Sequence, residues 1–168
     1  KYSDPSTRPR IIVTIPGTGG SPGLDTEVIS DMWKETLGIE VEIQQVEWAT
    51  YLQDMNRKRL QLWAGSGWQA DYADPQDFID VLFYSKSDVN HGNYSNPEVD
   101  KLILEARTEV DNNRRFLLYN QAEQMIVDEA AIFPLWFDTD GYALVKPWVK
   151  GYEFTPIIVP KFKDVEIK

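Results

Sequence analysis

The sequence has no cysteine, a single histidine and only three methionines. The missing thiols exclude disulfide frameworks, thiolate metal sites and cysteine nucleophiles, and they leave the compartment open. With His91 alone, a histidine-based metal cluster or a zinc-protease motif is excluded. A Ser-His-Asp triad also lacks support, because His91 stands in the polar stretch Asn90-His91-Gly92-Asn93 and no nucleophile elbow occurs elsewhere. A surface position is expected for it. Basic charge is scarce too: 17 Lys and Arg against 27 Asp and Glu give a net charge of −10. A nucleic-acid binder needs a basic face, and none is supplied. Long apolar runs are equally lacking, since the longest, Ala130 to Phe137, contains a proline and is far too short to cross a bilayer. Lys1 to Arg10 is polar and proline-bearing and does not read as a signal peptide. A secreted chain without its leader, or an excised piece of a larger protein, would read the same way.

What is there is a folding composition. Of 168 residues, 42% are hydrophobic and 12% aromatic, which excludes a disordered acidic tail. A domain of this size buries roughly 70% of its unfolded surface. Ile11 to Ile15 is a β-branched apolar run that reads as a strand covered on both faces. It ends at Pro16-Gly17, and a glycine-rich loop follows to Gly23. Ser21-Pro22 reads as N-cap and first helical residue. Val28, Ile29, Met32, Trp33 and Leu37 then recur at helical spacing, and Gly38 stops the helix. Ile39, Val41 and Ile43 alternate with Glu40, Glu42 and Gln44 as a strand with one wet face. This β-α-β order predicts two parallel strands.

Further along, Ala49 to Leu60 is helical in pattern, and Leu60 to Ala64 is a second buried-strand candidate. Trp48 is expected to end the preceding strand. A short helix is expected over Pro75 to Phe83. Asn96-Pro97 marks a helix start, with Val99, Leu102, Ile103, Ala106 and Val110 on one face. The next helix, after Asn112-Asn113, carries Leu117, Leu118, Ala122, Met125 and Ile126. Ala131 to Phe137 and Tyr142 to Val145 read as strands, and Lys146 to Lys168 as short β-like pieces. The class is α/β, a mixed and mostly parallel sheet flanked by helices. Residues 1–146 form the main α/β unit and 147–168 a C-terminal segment.

Three features invite a functional reading. The loop Gly17 to Gly23 sits between strand and helix, where glycines cradle phosphate, but it lacks both the dinucleotide spacing and the P-loop lysine. A plain strand–helix connection explains it better. Asp71, Asp74, Asp77 and Asp80 recur every three residues. The calcium-loop pattern is absent. Asp74 is placed to cap the helix at Pro75, Asp77 sits in the first turn beside the helix dipole, and Asp80 is expected in solvent. Asp71 is left over, between Trp68 and Tyr72, in a loop after a buried strand where α/β sheets place ligand contacts. Trp63 reads as core. Trp48 and Trp68 stand at loop ends, where large aromatics serve as core lids or pocket walls.

Gly67-Trp68-Gln69-Ala70-Asp71-Tyr72-Ala73-Asp74-Pro75, followed by Phe78, resembles the "GWxADYxDP" segment of the family 5 extracellular solute-binding proteins. These are the oligopeptide- and dipeptide-binding receptors of ABC importers. Other similar stretches follow in the family's order. Trp33-Lys34 with Gly38-Ile39-Glu40-Val41, Glu47-Trp48 with Tyr51-Leu52, and Tyr94-Ser95-Asn96-Pro97 to Asp100 are three of them. Tyr119 to Asp128 with Ala131 to Leu135, and Val145 to Tyr152, complete the set, which spans nearly the whole chain.

The resemblance implies one lobe of a type II periplasmic-binding-protein fold, the C-terminal lobe of a two-lobed clamp. It implies that Asp71 pairs with a peptide's α-ammonium, with Trp68 and Trp48 lining the pocket and Tyr72 beside them. Expected partners are an oligopeptide or dipeptide, the missing N-terminal lobe and an ABC transporter permease. The implied location is the periplasm or the cell surface. No metal, cofactor or nucleic acid is expected. Gly65 stands where some peptide receptors carry a basic residue, so capture of a C-terminal carboxylate there has no support. Two alternatives remain: a receptor of the same family for an oligosaccharide or metal chelate, and a hydrolase using paired carboxylates such as Asp71 and Asp74. No nucleophile–base–orienter set can be assembled for the second.

Overall fold

The computed structural model describes residues 8–135, 144–153 and 162–168. The chain divides into two compact units, Lys1–Gly67 and Trp68–Lys168.

In the first unit the β-branched run forms β1 (Ile11–Pro16). It lies between β2 (Val41–Val46) and β3 (Leu62–Trp63), and both pair with it in parallel. Val13 stands opposite Ile43 on one side and Leu62 on the other. A central strand is covered on both faces and paired on both edges, which is why Val13, Thr14 and Ile15 are buried. The short β3 pairing is extended by a side chain. The Gln61 carboxamide accepts from the Ile12 N–H (2.8 Å) and donates to the Arg10 carbonyl (3.3 Å).

Between β1 and β2 runs α1 (Leu24–Leu37). It starts two residues later than the Ser21-Pro22 signal predicts, with Gly23 at the N-cap and no side-chain cap. At its other end Gly38 takes the left-handed conformation (φ 62°), and its N–H reaches the Lys34 carbonyl. The expected apolar face is only half used. Ile29 and Trp33 are half-buried, whereas Val28, Met32 and Leu37, with Leu24, are exposed. The helix meets edge strand β2, so one side of it is covered and the rest is left bare.

After β2, the Glu47 carboxylate caps α2 (Trp48–Asn56) by accepting from the N–H groups of Ala49 (2.9 Å) and Thr50 (3.2 Å). Trp48 therefore opens a helix and does not end a strand. Helix α2 is also shorter than the expected span to Leu60. It buries Tyr51 and Met55, and it packs on β1.

The second unit is helical: α3 (Gln76–Phe83), α4 (Pro97–Thr108) and α5 (Asn112–Asp128). Their shared core is Ile79, Val99, Ile103, Ala106, Leu118, Tyr119, Ala122 and Ile126. Asn96 caps α4 through Oδ1, with Pro97 in the first turn, and Asp111 caps α5. Two face assignments change. Helix α4 ends at Thr108, so Val110 falls outside it and is exposed, and Leu117 turns to solvent while Tyr119 takes a core position. Between α3 and α4, the buried Asn90 side chain donates to the carbonyls of Tyr84 (3.2 Å) and Tyr94 (2.8 Å) and accepts from the Tyr94 N–H (3.1 Å). His91, in this same loop, is half-buried instead of lying on the surface.

Ala131 to Leu135 forms no strand, nor do Leu144 and Val145, and the other residues of the two strands expected there fall within 136–143, outside the described residues. In the tail, β4 (Val149–Lys150) pairs antiparallel with β5 (Glu166–Ile167). The other tail pieces, residues 154–161, are also outside the described residues.

Candidate functional site

The glycine-rich loop is tied to β2 by one side chain. The Gly19 N–H donates to Gln45 Oε1 (2.8 Å), Gln45 Nε2 donates to the Gly20 carbonyl (2.7 Å), and the Gly17 N–H donates to the Val46 carbonyl (2.8 Å). A Cβ on Gly17 would fall 2.6 Å from Gln45 Oε1. The glycines thus make room for Gln45, and the loop amides at 17 and 19 are spent inside the protein. A phosphate cradle needs those amides free.

Trp48 belongs to the first unit. It is the first residue of α2, 49% exposed, and its ring stacks on that of Tyr51 (centroids 5.8 Å apart, planes at 17°). Tyr51 is wholly buried, and its hydroxyl donates to the Ala64 carbonyl (3.1 Å) and lies 3.0 Å from Ser66 Oγ. Burial pushes the Tyr51 hydroxyl pKa up. Glu47 caps, Tyr51 anchors, and Trp48 rests on that anchor with its outer face in solvent. Farther on, Gly65 has φ +81°, and a Cβ there would lie 2.9 Å from Pro16 Cδ. The position that is basic in some peptide receptors has no room here for a side chain.

Trp68, Asp71 and Tyr72 belong to the second unit, in the segment that leads into α3. Trp68 is 38% and Tyr72 42% exposed, and Asp71 is exposed. The three carboxylates that follow Asp71 are each engaged. Asp74 Oδ1 accepts from the Gln76 N–H (2.9 Å), as the cap reading predicts, and the same carboxylate is gripped by Arg115 (Nη1–Oδ2 2.8 Å, Nη2–Oδ1 2.5 Å). The Arg115 guanidinium holds the Asp74 carboxyl below the usual carboxylate range, and Asp74 in turn raises Arg115. Asp80 is not in solvent. It is buried and paired with Arg107 (Nε–Oδ2 and Nη2–Oδ1, both 2.7 Å), a two-pronged contact of the strong kind. Asp77 is buried as well, and its Oδ2 accepts from the Asp71 backbone N–H (2.9 Å).

The Asp71 carboxylate is the exception. Among the described residues it accepts no hydrogen bond and joins no ion pair. Beside it, the Tyr72 hydroxyl donates to Gln76 Oε1. Its pKa is raised, first by burial and then by the fields of Asp77, Asp74, Asp80 and Asp71. Negative charge therefore surrounds Tyr72, next to the one acid between Asp71 and Asp80 whose carboxylate has no partner among the described residues.

Sequence reasoning did not find Arg107 and Arg115, nor that Asp77 and Asp80 are interior. The readable signal was an apolar helix, Gln76 to Phe83, carrying two acids three residues apart. Acids on a helix that must be buried require cations from its neighbours. Two concavities at α1, of about 550 and 590 Å³, one lined also by Val41 and Ile43 of β2 and the other by Arg8 to Arg10, include none of Trp48, Trp68, Asp71 or Tyr72. They are shallow and open. The candidate site rests on the chemistry of its side chains and not on a closed cavity.

Residues 2–90 match the family described as "Bacterial extracellular solute-binding proteins, family 5 Middle". The periplasmic murein peptide-binding protein MppA of Escherichia coli is 36% identical over 124 residues, 74% of this chain and 22% of MppA. Its solved structure matches with a TM-score of 0.78 over 98% of this chain and 32% of that one, at 28% identity. The periplasmic oligopeptide-binding protein OppA of Haemophilus influenzae is 37% identical over 125 residues, 73% of this chain and 23% of OppA. Its complex with the peptide RPPGFSPFR matches with a TM-score of 0.76 at 26% identity, over 98% of this chain and 32% of that one. The probable deoxycholate-binding periplasmic protein YgiS of Escherichia coli is 34% identical over 124 residues, 74% of this chain and 23% of YgiS. The chain spans no more than about a third of the length of these proteins.

Proposed function

The chain belongs to the bacterial extracellular solute-binding proteins of family 5, and on that premise we propose that it is the ligand-gripping part of an exported receptor that captures peptides for an ABC importer. The observation that carries this reading is the state of Asp71. Its carboxylate is exposed and uncommitted among the described residues, while Asp74 and Asp80 are matched by arginines and Asp77 is turned inward. A carboxylate in that state fits a peptide's α-ammonium, the cationic group that every free peptide presents. The pair is charge-assisted and fixes the end of the ligand. Trp68 and Tyr72, in the same unit as Asp71, offer apolar surface that accepts varied side chains without demanding directional bonds, and Trp48 of the first unit is an exposed aromatic of the same kind.

The rest of the assignment follows from the same premise. The chain is one lobe of a two-lobed clamp, whose other lobe completes the cleft by hinge closure. The permease of the importer is the downstream partner, and the receptor works in the periplasm or at the cell surface. Residues 1–146 are the ligand-binding part, and 147–168, where β4 and β5 pair with each other, are a C-terminal segment. The carboxylates bind and do not catalyse. A two-acid hydrolase needs two carboxylates free to act on substrate, and both Asp74 oxygens are already held by Arg115 and the start of α3.

Calorimetry on the two-lobed receptor tests the Asp71 role. A charge-assisted contact is worth about 1.5–3 kcal/mol, so Asp71→Asn is expected to weaken a free-amine tripeptide by roughly 10- to 100-fold. Unchanged affinity would remove Asp71 from the site. The similarity to YgiS, named for deoxycholate, keeps a ligand without an amine as the second reading, and Asp71→Asn would leave the binding of such a ligand unaltered.

A further inference from the structure

Asp77 is the second residue of α3 and only 1% exposed. Burying a carboxylate is costly unless its oxygens are hydrogen-bonded. Its neighbours Asp74 and Asp80 answer that cost with Arg115 and Arg107. Asp77 has no arginine or lysine partner among the described residues. Its bond runs instead to a backbone amide six residues back, the N–H of Asp71, at 2.9 Å. Position 77 is firmly held in its turn, because α3 is pinned to α4 through Asp80–Arg107, and the Asp74–Arg115 pair fixes the start of α3 to α5. Residues 64–75, by contrast, form no helix or strand. The Asp77–Asp71 bond therefore joins an irregular segment to a fixed helix at the very residue whose side chain faces solvent uncommitted.

We propose that Asp77 is the positioning residue for Asp71: its buried carboxylate holds the Asp71 amide and so sets the direction in which the Asp71 carboxylate leaves the loop to meet a ligand's ammonium group. This rests on the reading of Asp71 as the ammonium anchor. An anchor works only if its geometry is held by a second layer of contacts; otherwise binding has to order the loop first. Asp77 touches no ligand itself. Its role is to make the Asp71 contact ready in advance.

The test uses the full-length receptor and two probes, trialanine and N-acetyl-trialanine, titrated against wild type, Asp71→Asn, Asp77→Ala and Asp77→Asn, with the unfolding midpoint of each variant read alongside. The quantity that matters is the preference for the free amine over the acetylated peptide, because a merely destabilising change weakens both peptides alike. Asp77→Ala removes the acceptor, and the preference is expected to fall by about tenfold or more. Asp77→Asn keeps an oxygen that accepts the Asp71 N–H, and the preference is expected to stay within about threefold of wild type. If Asp77→Ala does not fold, Asp77→Ser takes its place, since its hydroxyl is too short to reach the amide, and the same loss is expected. A wild-type preference in Asp77→Ala or Asp77→Ser, or an Asn variant as impaired as these, overturns the proposal. Asp71→Asn tells the two failures apart. If it abolishes the preference while Asp77→Ala keeps it, the anchor stands and the positioning role falls. If Asp71→Asn itself keeps the preference, the anchor reading falls and takes this inference with it.

Discussion

Asp74 and Arg115 show how a local pattern is tied to distant sequence. The carboxylate caps the start of α3 through the Gln76 N–H and takes both prongs of an arginine from α5, 41 residues away in sequence. Both side chains are largely covered, 26% and 18% exposed, so the pair is worth more than a surface bridge. Arg115→Met is expected to cost about 1–3 kcal/mol near neutral pH, read as the urea midpoint. The pH dependence has a definite sign. Asp74 titrates lower in the folded chain than its ordinary value of 3.8, so its contribution is complete above that value and is lost as pH falls through the lower folded value. The gap between wild type and Arg115→Met should therefore narrow from about pH 7 to about pH 3. A gap that holds constant would mean that Arg115 acts through packing alone. At this scale the sequence was partly legible. The cap at Asp74 and the singular status of Asp71 were readable from turn chemistry, because a cap is a contact between near neighbours. Asp80 was misjudged, because its burial depends on Arg107 in α4, 27 residues away.

Elements with local stop and start signals were the most legible. Asn96-Pro97 does start α4, with Asn96 Oδ1 accepting from the N–H groups of Glu98 (2.9 Å) and Val99 (3.4 Å). Asn96→Ala is expected to cost about 1 kcal/mol, measured by thermal or urea unfolding, and a neutral result would show that Pro97 and the packing of Val99 suffice. The β-α-β order of β1, α1 and β2 and its parallel pairing also followed from periodicity. The start of α1 did not, because Gly23 supplies the N-cap where a serine two residues earlier looked better. The apolar stripe of α1 was legible as a pattern, but its burial was not. Periodicity says which side chains share a face, whereas burial depends on what lies opposite, and α1 packs on edge strand β2 with Val28, Met32 and Leu37 left exposed. Trp48 was misplaced by a single residue, since Glu47 caps a helix that begins immediately after β2.

At the scale of the whole molecule, the four candidate residues are divided between two compact units. Trp48 stands in the first, and Trp68, Asp71 and Tyr72 in the second. Six ordered sequence motifs brought the family into view, and several of them prove structural once the fold is seen: Glu47 and Asn96 cap helices, and Tyr51 and Tyr119 fill cores. Among the acids of the GWQADYADP segment and α3, only Asp71 is left without an internal partner among the described residues. The chain spans about a third of its relatives' length, and its proposed function rests on that one carboxylate meeting a cation. Native mass spectrometry of the full-length receptor, purified from its host with ligand still bound, tests this most directly. The expected bound masses resolve into short peptides with free α-amines. A bound ligand that carries no amine, such as a deoxycholate-like sterol, would contradict it.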